Sequence, residues 1–433
     1  MSEEAVARSD QAVGPLTGLR VVELGGLNGQ YCGKLLADMG AEVIKVEPPG
    51  GDPARRIGPF AGDVPDPNRS LFFWYHNTNK RGVTLNAEHP DGRALLLRLL
   101  SHADVVLNAY PPAESERLAL DYQTLRATGA LGEHIIYTAI TPFGLTGPWR
   151  DLATCDLVQM ALGGPMASCG YDADDVPDAP PIRPDGYHSL YIGGVYAFIG
   201  TLVALYHRDR TGEGQLLDVS IHEACACTTE GAFPNWEYFR REVIRQTGRH
   251  ASPTPTPRWQ FRTADGAYVN MIGGGIPRNP RSWRPLLDWM EAKGKVEDLR
   301  SPEYDAVMTE NPYNRGPHAR HVAEVIGRFV ESLTAEEAYR GGQALHLPWA
   351  PVRYPEENLH DPHWRDRGFF VDIAHPEIGR TVTYPGAPYR HSATPWRIRR
   401  RPPLLGEHTL EILEGELGLT REQTETLMGA GVI

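Results

Sequence analysis

Short apolar runs, Gly-rich turns and amphipathic stretches alternate along the first third of the chain. LRVVEL at 19–24 reads as a buried strand, GGLNGQ as a turn, YCGKLLADMG as a helix and AEVIKVE as a second strand that stops at PPGGDP. Strand, Gly turn, helix and strand in so short a span form a βαβ unit, which implies a parallel sheet and a right-handed crossover. The pattern recurs. Val83–Leu85 opens a strand, and Pro90-Asp91-Gly92 starts the helix RALLLRLLSHA, apolar on one face. ADVVLNAY is a further strand ending at Pro111-Pro112, Glu114–Arg126 is helical, and HIIYTAI is another strand closed by TPFGLTGP. Residues 156–163 and 189–206 read as helices, 172–184 as a Pro/Asp loop, GEGQLLDVSI as a strand and IHEACACTTEGA as a helix.

The character then changes. Trp236, Trp259, Trp283 and Trp289 cluster among Pro-rich loops, DGAYVNMI reads as a strand, and SWRPLLDWME and HARHVAEVIGRFVESL read as helices. This is the pattern of a smaller α+β domain, expected over 230–345. Residues 1–14 are expected as a disordered tail and 15–229 as an α/β domain. Trp236, Trp259 and Tyr238 are expected in the small domain's core, or around an aromatic pocket. Residues 348–433 return to Pro-punctuated strands, followed by HTLEILEGEL and a terminal helix.

Composition narrows the chemistry. A net charge of −12 argues against a general nucleic-acid binder. The basic run Arg397-Ile398-Arg399-Arg400-Arg401 is either a solvated loop or a patch that neutralises an anion. Cys 5 is an odd count without a CxxC pair, so neither a disulfide framework nor a zinc site is expected. His318 and His321 share a helical face but have no carboxylate at ligand spacing, and no metal is expected. The acidic, polar N-terminus has no apolar signal core, so a cytoplasmic protein is expected. SLYIGGVYAFIGTLVALY at 189–206 carries no charge, and its glycines suit a buried core helix rather than a membrane span. No GxSxG, HExxH or P-loop occurs. GGLNGQ does not fit GxGxxG, although such a turn can still present backbone N–H groups to an anion.

LLADMGAEVIKVEPPGGDPAR, NTNKRGVTLNAEHPDGRALL, ADVVLNAYPP, IIYTAITPFGLTGPWRD, CDLVQMALGGPM, ALYHRDRTGEGQLLDVSIHEA, GAPYRHSATPW and PPLLGEHT follow one another in order. From about Leu16 onward the chain resembles the class III coenzyme A-transferase (CaiB/BaiF) family. That family includes formyl-CoA and carnitine CoA-transferases and α-methylacyl-CoA racemases. The resemblance implies a Rossmann-like large domain built from both chain ends, with 346–433 as linker and return, and an interlocked dimer. The dimer would be a homodimer or a heterodimer with a paralogous chain. It implies no tightly bound cofactor: coenzyme A, as acyl-CoA, is a substrate, and a carboxylic acid is the second. Carried over position by position, the CoA contacts would be Leu27 and Asn28, Pro48 and Arg55, Asn86, Ala87 and Glu88, Asn108, Ala109 and Tyr110, Arg117, and Ala153 and Thr154. Such groups suit phosphate or adenine.

The departures from the family pattern bear on catalysis. The usual A-G-P after the first strand is Asn28-Gly29-Gln30 here, and the usual N-F-R-P-G is Asn108-Ala109-Tyr110-Pro111-Pro112. Family transferases use an aspartate as nucleophile just before the helix that leads into TGxGQ. Counting back from Gly194, that position is Leu190. The nearest upstream carboxylate is Asp185, in RPDGYHS. Asp156, in CDLVQMALGG, falls where racemases of the family show a G-H-D word, with Cys155 in place of the histidine. Three readings follow. The first is a transferase using Asp185. The second is a CoA-binding, non-catalytic subunit whose partner carries the aspartate. The third is an acyl-CoA racemase or isomerase built on Asp156.

Overall fold

The computed structural model describes residues 14–229, 231–309, 316 and 318–433. The tail expected over 1–14 therefore lies, Gly14 apart, outside the described residues. The chain divides into two compact units: Met1–Gly163, Asp185–Cys227 and Pro362–Ile433 form one, Gly164–Pro184 and Thr228–Asp361 the other.

The first unit is built on six parallel strands: β1 (Arg20–Leu24), β2 (Glu42–Glu47), β3 (Arg81–Thr84), β4 (Val105–Asn108), β5 (Ile136–Thr141) and β6 (Leu216–Ser220), in the order β3-β2-β1-β4-β5-β6. Val22 pairs with Ile44 on one side and Val106 on the other. Central parallel strands are covered on both faces, which is why Val, Ile and Leu dominate them. Helix α1 (Leu27–Asp38) links β1 to β2, α2 (Leu71–His76) precedes β3, and α3 (Pro90–Ser101) links β3 to β4. The C-terminal segment returns to this sheet. Ile412 and Leu413, both 0% exposed, join Val22, Ile44, Val83, Leu96 and Val106 in one core. Each such aliphatic side chain stabilises by about 1.5–3 kcal/mol. Thr409 Oγ1 accepts from the Thr84 backbone N–H at 3.0 Å, and the Val432 carbonyl accepts from that of Asn86 at 2.7 Å. A hairpin of Phe370–His375 and Arg380–Pro385 completes the unit.

The apolar segment around 189–206 forms helix α5 (His188–Thr211), which follows a short α4 (Asp156–Leu162). By length and composition α5 is the one described helix apolar enough to cross a membrane. Its glycines have local causes. A Cβ on Gly194 would meet Tyr31 Cβ at 2.9 Å, and one on Gly193 would meet Ile221 Cγ1 at 2.7 Å. The expectation of a buried helix holds for one face only. Leu190, Ala197, Thr201 and Leu205 are buried, while Ile199, Val203 and Tyr206 are exposed. The basic run is largely structural: Arg399 donates to the Ala37 carbonyl at 2.9 Å, and Arg401 pairs with Glu377 and Glu407.

An aromatic cluster of Tyr31, Phe72, Tyr75 and Tyr191 surrounds His76. His76 Nδ1 donates to the Phe72 carbonyl at 2.8 Å, so its other nitrogen carries the lone pair. Burial pushes the imidazole down to about 4. The unfolded chain then binds more protons than the folded one between the ordinary 6.5 and about 4, and stability falls as pH drops through that window. The expected loss is about 3 kcal/mol. Urea midpoints at the two ends of the window check it: His76→Gln should flatten the slope, and an unchanged slope would refute the assignment.

The second unit is α+β. Strands β7 (Gln260–Arg262), β8 (Tyr268–Met271) and β9 (Trp349–Pro351) form an antiparallel sheet in sequence order. Helices α6 (Trp283–Ala292), α7 (His318–Glu331) and α8 (Ala335–Ala344) supply its core. Trp283, Leu286, Leu287 and Met290 recur at helical spacing, as do Val322, Ile326, Phe329 and Val330, and both sets meet Trp349. Gly164–Pro184 is held to this unit by Asp172, whose carboxylate accepts from both arms of Arg249 at 2.6 and 2.9 Å. The aromatic expectations divide. Trp283 is core, but Trp236 is 48% and Tyr238 81% exposed, because the short helix that carries them buries no side chain. Trp259 is half-buried. His321 does have a carboxylate partner, Asp298 at 2.9 Å, from a segment the helical spacing could not reveal.

Candidate active site

The strands of the first unit run outward from β1 to β3, then cross back to β4, so the order reverses between β1 and β4. In parallel sheets ligands bind at the carboxyl ends of the strands beside such a reversal. A cleft of about 970 Å³ opens there. Its wall is the set of turns that leave the strands: Gly25–Asn28 after β1, Pro48–Pro49 after β2, Leu85–Glu88 after β3 and Ala109–Glu114 after β4. Gly25 makes the first turn possible. Its φ is 82°, and a Cβ would lie 2.6 Å from the Tyr110 backbone nitrogen.

Beneath this wall lies a buried ionic network. Glu23, 0% exposed, accepts from Lys80 Nζ at 2.7 Å and Lys45 Nζ at 3.1 Å. Lys45 also donates to Asp52 at 2.8 Å. Asp52 lines the cleft and fixes the PPGGDP turn by accepting from the Ala54 N–H and from Gln30. Burial alone would raise Glu23, but the two ammonium groups hold its carboxyl below the usual range. The lysines move in opposite directions. Burial pulls Lys80 down to about 8 against a single carboxylate, whereas Asp52 and Glu23 together outweigh burial and push Lys45 up.

Eleven of the residues carried over as CoA contacts line the cleft: Leu27, Asn28, Pro48, Asn86, Ala87, Glu88, Ala109, Tyr110, Arg117, Ala153 and Thr154. Glu88 and Arg117 are brought together as an exposed ion pair at 2.7 Å. The structure does not bring Arg55 or Asn108 to the wall. Arg55 is buried, its guanidinium occupied by both oxygens of Glu47 at 2.6 and 2.7 Å and stacked 3.7 Å over Phe73. Asn108 is buried too. It accepts from the Tyr110 N–H at 3.0 Å and donates to Ser115 at 2.8 Å, and so shapes the turn.

The cleft is also lined by Asp156, Gln159, Tyr187, Ser189 and Leu190, from α4, α5 and the segment before α5. Asp156 Oδ1 accepts from the Ser189 N–H at 2.9 Å and from its hydroxyl at 2.8 Å. Burial and this carboxylate push the nearby Cys225 thiol up to about 11. Leu190 is 6% exposed and apolar. Asp185 is exposed and outside the cleft; its carbonyl faces His188 Nε2 at 2.8 Å. Sequence reasoning missed Asp52, Gln159, Tyr187 and Ser189. For Gln159 a signal was present, since its i+3 spacing from Asp156 puts both on one helix face.

Residues 16–409 match the family described as CoA-transferase family III. The chain belongs to that family. It is 34% identical over 422 residues to the succinyl-CoA:(R)-benzylsuccinate CoA-transferase subunit BbsE of Thauera aromatica, covering 96% of this chain and 97% of that one. It is 31% identical over 424 residues to the succinyl-CoA–L-malate CoA-transferase beta subunit of Chloroflexus aurantiacus, covering 97% and 98%. A CaiB/BaiF family protein from Brucella suis matches with a TM-score of 0.76 at 25% identity, covering 94% of this chain and 100% of that one. A family III chain moves CoA between an acyl-CoA and an acid, and this chemistry implies no tightly bound cofactor.

Proposed function

We propose that the chain binds acyl-CoA in the cleft of its first unit and serves as the CoA-binding subunit of a hetero-oligomeric CoA-transferase. A paralogous partner chain supplies the carboxylate nucleophile. The observation that carries this reading is Leu190. At the position the family resemblance gives to the nucleophile, the cleft lining presents a buried isobutyl group. An aspartate there would attack the donor thioester and form a mixed anhydride, which CoA would then attack; a leucine can do neither. The names of the relatives point the same way, since both are called subunits. Their donor is succinyl-CoA, and we take a succinyl-type donor and an organic acid acceptor as the substrates.

The test is an exchange assay with succinyl-CoA and a panel of carboxylic acids in heavy water, read by mass spectrometry. The purified chain alone should bind CoA yet form no new acyl-CoA and incorporate no α-deuterium. Leu190→Asp should restore exchange. New acyl-CoA from the unaltered chain, lost in Asp185→Ala, would make it a self-sufficient transferase instead. Deuterium incorporation lost in Asp156→Asn would make it an isomerase.

The location of CoA has a separate readout. Cys155 is exposed and lines the cleft; Cys227 is exposed and does not. Saturating CoA should slow alkylation of Cys155 about tenfold or more by steric occlusion while leaving Cys227 unaffected. Equal rates with and without CoA at both thiols would place CoA elsewhere.

A further inference from the structure

Among the described polar side chains lining the cleft, those at least nine-tenths buried are Asp52, Gln159 and Ser189. Asp52 has both oxygens engaged, by Gln30, the Ala54 N–H and Lys45. Ser189 donates its hydroxyl to Asp156. Gln159 differs. It is 2% exposed, and its Nε2 donates to Thr154 Oγ1 at 2.9 Å, but its Oε1 has no hydrogen-bond partner. A buried polar atom left unpaired is uncommon and calls for a donor that arrives from outside the chain.

We propose that Gln159 is the residue that recognises the pantetheine arm of coenzyme A, through a hydrogen bond to one of the arm's amides. The proposal rests on the reading that the cleft takes CoA. Placement supports it. Gln159 lines the same cleft as Tyr110, Arg117 and Asn86–Glu88, which follow β3 and β4, and as Leu190 and Asp156, and it is one helical turn beyond Asp156. An arm that joins the nucleotide to the thioester passes this wall, whose other members include Pro48, Pro111, Leu152 and Ile221. Those side chains offer an amide no partner. Gln159 does: its Oε1 accepts the amide N–H, while Thr154 holds the other end of the carboxamide and fixes its plane. A secondary amide supplies the N–H donor that Oε1 lacks. Specificity follows, because a ligand without the amide leaves the buried oxygen unpaired in the complex as well.

The experiment is calorimetric titration of the full chain with CoA, with adenosine 3′,5′-bisphosphate as an armless nucleotide, and with two CoA analogues in which one or the other arm N–H is replaced by CH₂. Gln159→Met, close to isosteric, should weaken CoA roughly tenfold, the usual factor for one hydrogen bond, and leave the armless nucleotide unchanged. One analogue should bind the unaltered chain about tenfold less tightly than CoA, and that difference should vanish in Gln159→Met. The analogue comparison stands even if the variant folds poorly. Full-strength binding of both analogues overturns the proposal, as does equal weakening of CoA and the armless nucleotide in the variant. If CoA itself does not bind the unaltered chain, the cleft reading falls with it, and that outcome is separately visible.

Discussion

Glu23→Ala is expected to destabilise the first unit by about 3–5 kcal/mol. The carboxylate stands between two buried ammonium groups, Lys45 and Lys80, and its removal leaves the network one negative charge short. Lys45 keeps Asp52, but Lys80 keeps only neutral acceptors, the Gln30 carbonyl and Asn77 Oδ1. Water cannot easily repair the loss, because α1 lies against the site: a Cβ on Gly33 would fall 1.8 Å from Glu23 Oε2. The same carboxylate gives the sign of the acid response. Its pKa is lowered in the folded state, so its contribution is complete above about 4.5 and is lost as pH falls through the folded value. Urea unfolding of the variant near neutral pH measures the effect. A shift below about 1 kcal/mol would mean that the network orders the cleft wall without stabilising it.

Trp349→Ala should cost the second unit about 3–5 kcal/mol. The indole is 1% exposed and close-packed on its neighbours. A Cβ on Gly342 would lie 3.0 Å from Trp349 Cβ, and one on Gly275 would lie 3.3 Å from Cζ2, so two of the positions against the indole have no side chain with which to fill the cavity. Trp289 lies with its ring centroid 6.0 Å away, so the loss should appear in tryptophan emission as well as in the unfolding midpoint. A midpoint that moves while emission stays fixed would place the damage outside this core.

The parallel sheet was legible because strands covered on both faces are rich in Val, Ile and Leu, as β1, β2, β4 and β5 are, even though Glu23 and Lys45 interrupt the first two. The cleft was partly legible for a related reason: residues that follow parallel strands fall on one edge, and eleven of the carried-over contacts do. Side-chain pairing was not. Glu23 meets Lys45 and Lys80 from 22 and 57 residues away, and no local spacing announces that. The same blindness applied to Arg55, whose charge reads as a phosphate ligand until Glu47 is seen beside it. Trp349 stood in a stretch expected to be linker, since one strand residue carries no periodic signal. The charge-free run of α5 gave the helix but not its two unlike faces, because with apolar residues all round the sequence could not say which side meets the sheet.

The return of the chain to its first sheet has a consequence for biosynthesis. Residues 409–417 put Ile412, Leu413 and Leu417 into a core whose other members lie between Val22 and Ala139. A nascent chain emerging from the ribosome therefore lacks part of this core throughout the synthesis of everything between. The second unit can close during that interval; the first cannot. A pause, cleavage or premature stop before residue 409 would release a chain with an open hydrophobic flank, a natural substrate for chaperones and proteases.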